Sequence, residues 1–439
     1  MGNKIPAIKS TIGDWTYYTT SLSFKQVVLL VDKMSDELYQ SKSLKKALQR
    51  SITDNYKNIE QYIISQPERF FNFLVLAIYD GEPNWIQVDL ELGNDTFYNM
   101  GFLTLSGNEH IFPVDGQHRV EGIKSALSTQ EYKELLKDER VPVVFIGHKN
   151  TDVGMQRSRR LFNTLNRYAK PVSQSDIIIL DEDDTSAIAT RFLIEDSAEV
   201  SLFKNSRLDD SLQKAINSAN KTSFTSLIAF AECNGAIQKY YFKHKFLNTD
   251  KYHNYKNKYY SNKDKINYND FKRYRPDKEV LDEFIQYTED YWKKFERGLP
   301  FIQDYLKIQE ENPAYQYRNS TEGGNILFRP IGIVPFVEAT LKIMEKNENN
   351  SFDSVFTKFI ENVEFIISKK PWINVVWSSQ DHTMITVPKV FIRNLFLYVY
   401  DKSLLTAKQL FSLKVQYAKF IVYEGQLENI SLENLIFGG

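Results

Sequence analysis

Apolar residues in this chain recur first with helical spacing, then with strand spacing, then with helical spacing again. From residue 24 onward, Leu29, Leu38, Leu44 and Leu48 fall at helical intervals among Lys and Gln. The pattern continues through Ser51–Ile64 and stops near Pro67. Phe70–Ile78 (FFNFLVLAI) is a short, continuous apolar run between Pro67 and Asp80-Gly81, which predicts a buried strand. Trp85–Leu92 alternates and reads as its neighbour. Leu103–Val114 reads as a hairpin, with a Gly107-Asn108 turn between LTLS and HIFPV. A helix opens at Val120–Leu127 and extends toward Leu136; Val141–Ile146 (VPVVFI) is another buried strand. Met155–Tyr168 is a helix stopped by Pro171, and Ser173 is placed to cap the next. Beyond about residue 185 the spacing is mostly helical, most clearly over Phe328–Met344 and Ser351–Ile367. The pattern predicts an α/β fold: a helical segment over 1–60, a compact α/β unit over 61–185, and a mainly helical region over 186–439.

Composition narrows the class. A chain of 439 residues suits two or three domains, and 42% hydrophobic with 25% charged residues supports a packed core. The 14% aromatic content, mostly Tyr and Phe, predicts an aromatic-rich core. Cys233 is the one cysteine, which excludes an intramolecular disulfide and a Cys-based zinc site and fits a reducing compartment. Met1–Asp14 is polar and broken by Pro6, unlike a signal peptide, and the apolar run Gln26–Val31 is too short to span a bilayer. The expected location is cytoplasmic, with no membrane partner. The net charge of -1 leaves any nucleic-acid affinity to local patches.

One such patch is residues 239–275, where eleven Lys or Arg face three Asp and eight tyrosines are interleaved. Aliphatic residues are nearly absent, so the stretch reads as an exposed, basic insertion or long loop. Cations with interleaved aromatics suit phosphate attraction plus base stacking. Lys256, Lys258, Lys272, Arg273 and Arg275 are the candidate DNA contacts. A plain solvated loop would have the same composition.

The densest chemistry lies at Asp115-Gly116-Gln117-His118-Arg119, between the strand Ile111–Val114 and a helix. A helix N-terminus after a glycine turn points free N–H groups at an anion, and the helix dipole adds to the attraction. Gly116 permits close backbone approach, and Arg119 supplies a cationic fork suited to phosphate. His118 can bond a phosphate oxygen or act as acid or base. Asp115 can hold the imidazole, orient a water or help bind Mg²⁺, and Gln117 can orient a water. The competing expectation is a polar turn in which Asp115 caps the helix and Arg119 pairs with a neighbour. On the helix near 156–168, Asn163 and Asn166 share a face and are placed to line a pocket, with Lys170 just beyond.

FPVDGQHRVEGI resembles the signature of DGQHR-domain proteins, which are similar to the ParB N-terminal domain and to sulfiredoxin. Among them it looks most like DndB-type proteins, associated with DNA phosphorothioate modification. Glu68-Arg69-Phe70-Phe71 resembles the approach to that family's first strand. RLFNTLNRYAKPVS at 160–173 resembles its second motif, with Phe162, Asn163, Asn166 and Lys170 at the matching places. ILFRPIGIV at 326–334 resembles a later segment. The resemblance implies a ParB/sulfiredoxin-like core over roughly 60–185. It implies nucleotide-phosphate contacts from Gly116, His118 and Arg119, with ATP the first candidate and Mg²⁺ its usual companion. Sulfiredoxin's cysteine position holds Gln117 here, which excludes sulfinic-acid reduction. NTP hydrolysis stays open, with Gln117 or Asp115 placing a water. The implied setting is DNA modification or phage defence, including transcriptional regulation, with DNA, nucleotide and DNA-modification enzymes as partners. The alternatives are a metal-dependent DNA-nicking nuclease using Asp115 and His118, and a non-catalytic adaptor.

Elsewhere no residues show metal-ligand spacing, and there is no Walker A motif. His110, His148 and His382 are scattered, and Asp181–Asp184 reads as a solvated helix end.

Overall fold

The computed structural model describes residues 3–32, 55–79, 83–92, 95–147 and scattered positions over 151–180. It also describes 181–438 apart from 205, 210, 212, 218, 310, 320 and 348. The chain divides into two compact units, residues 1–171 and 172–439.

The first unit is built on a seven-stranded mixed sheet. Its strands are β1 (Asn3–Ile12), β2 (Trp15–Ser23), β3 (Leu74–Tyr79), β4 (Asn84–Leu92), β5 (Asp95–Leu105), β6 (His110–Asp115) and β7 (Arg140–Gly147). The order is β4-β5-β1-β2-β7-β3-β6, antiparallel throughout except for β3 beside β7. The helical reading of the first sixty residues is therefore wrong for residues 3–23. Ile12 pairs with Trp15, so Gly13-Asp14 forms a two-residue hairpin turn, with Gly13 at φ 53°. Ile5 and Ala7 face inward while Lys4 and Pro6 face out, an alternation diluted by the Thr and Tyr of β2.

The expected hairpin at 103–114 is also corrected. β5 pairs with β4 and β1, whereas β6 pairs with β3 at the other edge. In a flat sheet β5 and β6 would lie five strand spacings apart, about 24 Å. The chain from Leu105 to His110 reaches roughly 18 Å at most. The sheet therefore curls, and its concave side shares one core: Leu103 and Leu105 of β5 join Ile111 of β6 in the same apolar cluster. β4 likewise pairs with β5 and not with β3.

Helices α1 (Phe24–Leu30), α2 (Asn55–Ser65) and α3 (Gln117–Ala126) cover that side. Phe24 and Val27, Ile63, and Val120, Ile123 and Ala126 meet Leu74, Leu76, Val143 and Phe145 of the sheet. The other face carries Ala77, Phe112, Val114 and Ile146, with Leu161 packed on them. Strand β3 starts only at Leu74; Phe70 and Phe73 of the apolar run are exposed. A short α4 (Gln130–Leu136) follows α3 after a break.

The second unit is mainly helical, with α5 (Thr185–Glu195), α6 (Leu227–Tyr241), α7 (Asp250–Tyr260), α8 (Tyr268–Phe271) and α9 (Lys278–Gly298). Then come α10 (Pro300–Lys307), α11 (Pro330–Lys346), α12 (Phe352–Asn362), α13 (Lys389–Tyr400), α14 (Ala407–Phe420) and α15 (Leu432–Phe437). Its core is aromatic, as expected: Phe203 and Phe230 stack, Trp292 meets both edge-on, and Phe336 meets Phe356, Phe359 and Phe396.

The stretch 239–275 is not a loop. It forms the end of α6, a π-helical turn (Phe242–Phe246), α7 and α8, and its tyrosines are core. Tyr252, Tyr255 and Tyr259 recur at helical spacing and are buried. Their hydroxyls find backbone: Tyr255 donates to Tyr274 O at 2.9 Å, Tyr259 to Arg275 O at 3.1 Å and Tyr260 to Asp270 O at 2.9 Å. Tyrosine can thus replace aliphatic residues in a core when its hydroxyl has a partner.

Candidate functional site

The turn at Asp115–Arg119 joins an edge strand to the helix over the sheet. Pro113 has no N–H to offer the ladder, and on the edge strand β6 it leaves none missing. Val75 pairs with Asp115 but Leu76 with Pro113, so Val114 is an extra residue in a β-bulge. A bulge bends a strand end and redirects the side chains beyond it. Gly116 follows at φ 91° and ψ 16°, the left-handed region, and serves as N-cap of α3 with no side-chain cap hydrogen bond. Val120 N–H reaches Gly116 O at 2.9 Å, so the helix is closed from its first turn. The N–H groups of Gln117, His118 and Arg119 precede that first internal bond.

Arg119 is committed to the scaffold. Its Nη1 donates to Asn72 O at 2.9 Å and Phe73 O at 3.0 Å, and its Nη2 to Asp115 Oδ2 at 2.8 Å. Asp115 does not cap the helix; it pairs with Arg119 one turn on. The fork ties the entry of β3 to the exit of β6. The Arg119 side chain is 18% exposed and that of Asp115 36%, so both still reach the surface. His118 is half-buried, and its Nδ1 is buried without a hydrogen-bond partner among the described residues. Gln117 is half-buried on the same turn. The net result is an uncapped helix N-terminus with an imidazole, an amide and an Arg–Asp pair around it, able to receive an anion.

Asn163, Asn166 and Lys170 lie outside the described residues, as does His148. His110 stands at the opposite end of β6 from the turn, 3.8 Å from Asp32. His382 Nδ1 lies 3.1 Å from Thr321 O in the other unit. Asp184 caps α5 through Ser186 N–H at 2.9 Å. The described residues hold no His, Cys, Asp and Glu cluster able to bind a metal.

Of the basic candidates, Lys258 pairs with Asp277 at 2.8 Å, Lys272 with Asp184 at 3.0 Å and Arg275 with Glu182 at 2.9 Å. Lys251 is held between Glu279 and Glu283. Carboxylates from outside the stretch thus answer much of its positive charge. Lys256 is half-buried and Arg273 exposed. Sequence reasoning did not find the carbonyls of Asn72 and Phe73 that hold Arg119; backbone groups carry no residue-type signal.

These features define a mixed α/β protein: a curled sheet bearing a glycine-opened helix N-terminus, and a helical unit with an aromatic core. Within that class the chain belongs to the DndB family, DNA-sulfur modification-associated, whose model matches residues 5–395 of the 439. No curated protein and no solved structure matches it. Among the described residues, no helix is long and apolar enough to cross a membrane.

Proposed function

We propose that this DndB-family protein binds a nucleoside triphosphate, ATP first, with Mg²⁺, at Asp115–Arg119, and acts with DNA as a regulator within a sulfur-modification system. The observation that carries the reading is the uncapped N-terminus of α3 with His118 Nδ1 unpartnered beside it. Buried polar atoms are rarely left without a partner, and a phosphate oxygen here would satisfy the imidazole and the first-turn N–H groups together. Arg119 contributes charge while holding the turn in shape. Asp115 is engaged by Arg119, so Gln117 is the side chain free to orient a water for hydrolysis. The fold at the turn is read as ParB/sulfiredoxin-like, by the resemblance of DGQHR. DNA contact is assigned to the half-buried Lys256 and the exposed Lys258, Arg273 and Arg275 of 239–275. Exposed ion pairs such as Lys258–Asp277 are worth little and exchange readily for DNA phosphate.

The test is calorimetric titration with ATP, GTP and CTP plus Mg²⁺, with phosphate release measured with and without DNA. His118→Ala and Arg119→Lys are the variants, each checked for an unchanged melting temperature. Loss of a charge-assisted contact of about 2–3 kcal/mol weakens binding roughly 30- to 150-fold. No binding of any nucleotide to the folded protein, or equal binding by His118→Ala, overturns the assignment.

A further inference from the structure

The unit 172–439 holds a second concentration of charge that the turn at Asp115–Arg119 does not use. A cleft of about 580 Å³ is lined by residues of α5, α6 and its π-helical continuation, α11 and α13. That volume lies within the range of small-molecule sites, roughly 300–1,000 Å³. Six cations line it: Lys239, Lys243, Lys272, Lys342, Lys389 and Arg393. Four are answered within the wall. Lys272 meets Asp184 at 3.0 Å and Lys342 meets Glu345 at 2.9 Å. Lys389 bridges Glu232 at 2.9 Å and Glu338 at 2.7 Å, and Arg393 Nη1 lies 3.6 Å from Glu338.

Lys239 and Lys243 have no carboxylate partner among the described residues. Three cations nevertheless gather on one lip. The ammoniums of Lys239 and Lys272 lie 5.9 and 6.0 Å from the centre of the same Tyr268 ring, and Lys243 is four residues beyond Lys239. Lys243 also sits in the π-helical turn Phe242–Phe246, an irregularity frequent at functional sites. With Asp184 counted, this lip keeps a positive surplus.

The wall formed by α11 and α13 has a different deficit. Arg393 Nε and Glu338 Oε2 are both buried, and neither has a hydrogen-bond partner among the described residues. One is a donor and the other an acceptor, beside an ion pair too long to be a hydrogen bond. A hydroxyl, which donates and accepts at once, satisfies both.

We propose that this cleft binds a phosphorylated sugar moiety. The phosphate lies on Lys239, Lys243 and Lys272, and a sugar hydroxyl lies between Arg393 Nε and Glu338 Oε2. The site is separate from the one at Asp115–Arg119 and does not depend on that assignment.

The test is titration of the full chain with ribose 5-phosphate, inorganic phosphate and ribose by calorimetry. Ribose 5-phosphate is expected to bind more tightly than phosphate, and ribose most weakly. Lys239→Ala with Lys243→Ala removes two exposed side chains and should weaken both phosphates by roughly tenfold or more. Glu338→Gln should weaken ribose 5-phosphate and leave inorganic phosphate unchanged. His118→Ala should change neither. No binding at millimolar concentration, or binding indifferent to the double Lys variant, overturns the site. Loss of binding in His118→Ala instead assigns it to the turn and overturns the proposal. Equal binding of phosphate and ribose 5-phosphate overturns the hydroxyl contact.

Discussion

Replacing Gly116 by Ala separates the two reasons for a glycine at the turn. The first is backbone. Gly116 holds φ 91°, where an L-residue costs about 1–2 kcal/mol. The second is space. A Cβ there would stand 2.5 Å from Leu74 Cδ2 and 3.3 Å from Arg119 Cζ. Leu74 is fully buried in the core under the sheet, so its methyl cannot move without displacing neighbours. Overpacking of this kind costs about 1–3 kcal/mol. The sum is about 2–5 kcal/mol. Gly107 is the matched control: its φ is 97°, but a Cβ would meet nothing within 4 Å. Gly107→Ala therefore carries the backbone cost alone, about 1–2 kcal/mol. The assay is urea unfolding read by hydrogen exchange of peptides from residues 95–147, which isolates the first unit. Gly116→Ala should be less stable than Gly107→Ala by about 1–3 kcal/mol. Equal losses would refute the packing argument, and a neutral Gly107→Ala would refute the backbone argument.

Other substitutions test the second unit. Tyr255→Phe removes a buried hydroxyl that donates to Tyr274 O at 2.9 Å and Phe271 O at 3.3 Å, and should cost about 1–2 kcal/mol in urea midpoint analysis. A neutral result would mean that these tyrosines act only as apolar rings. Asn234→Ala orphans Trp292 Nε1, 2.7 Å from Asn234 Oδ1, and takes away the donor to Thr190 Oγ1, 2.8 Å from Asn234 Nδ2. The cost should be about 2–4 kcal/mol, followed by tryptophan fluorescence. Burial pushes the phenols of Tyr241 and Tyr417 up to about 12. Their unfolded forms ionise near pH 10, so their contribution is complete below pH 10 and is lost as pH rises toward 12. Urea midpoints at pH 9, 10 and 11 should fall, and less steeply in Tyr417→Phe; an identical slope in that variant contradicts the assignment. Lys258→Ala breaks its exposed pair with Asp277 and its contact with the Tyr259 ring, and should change stability by under about 1 kcal/mol, checked by thermal melting.

The turn itself was legible because everything that makes it is local. An apolar strand, a glycine and a helix with Val120, Ile123 and Ala126 on one face lie within seventeen residues, Phe112 to Ser128. The helices 330–346 and 352–362 were legible for the same reason, since their apolar spacing fixes which side is buried. Strand β7 was marked by its continuous apolar run, which both faces of the sheet require. Periodicity alone did not determine pairing. A Gly107 turn between two strands suggests a hairpin, yet sheet curl lets one short connection join strands near opposite edges.

The basic, tyrosine-rich stretch shows the same boundary at the level of side chains. Its composition says charged and non-aliphatic, and that is accurate. Whether its rings face water or a core depends on backbone carbonyls at Phe271, Tyr274 and Arg275 that only the folded chain brings near. Whether its lysines stay free depends on Asp184, Glu279 and Glu283, which other helices carry. The sequence by itself determined the strand–glycine–helix turn at Asp115–Arg119, the helices 330–346 and 352–362 and the aromatic character of the core, because these are written in neighbouring residues. Tertiary structure alone decided strand order, the commitment of Arg119 to the carbonyls of Asn72 and Phe73, and the meeting of Lys239, Lys272, Glu338 and Arg393 around one cleft. Each of those depends on which distant segments become neighbours, and local spacing carries no record of that.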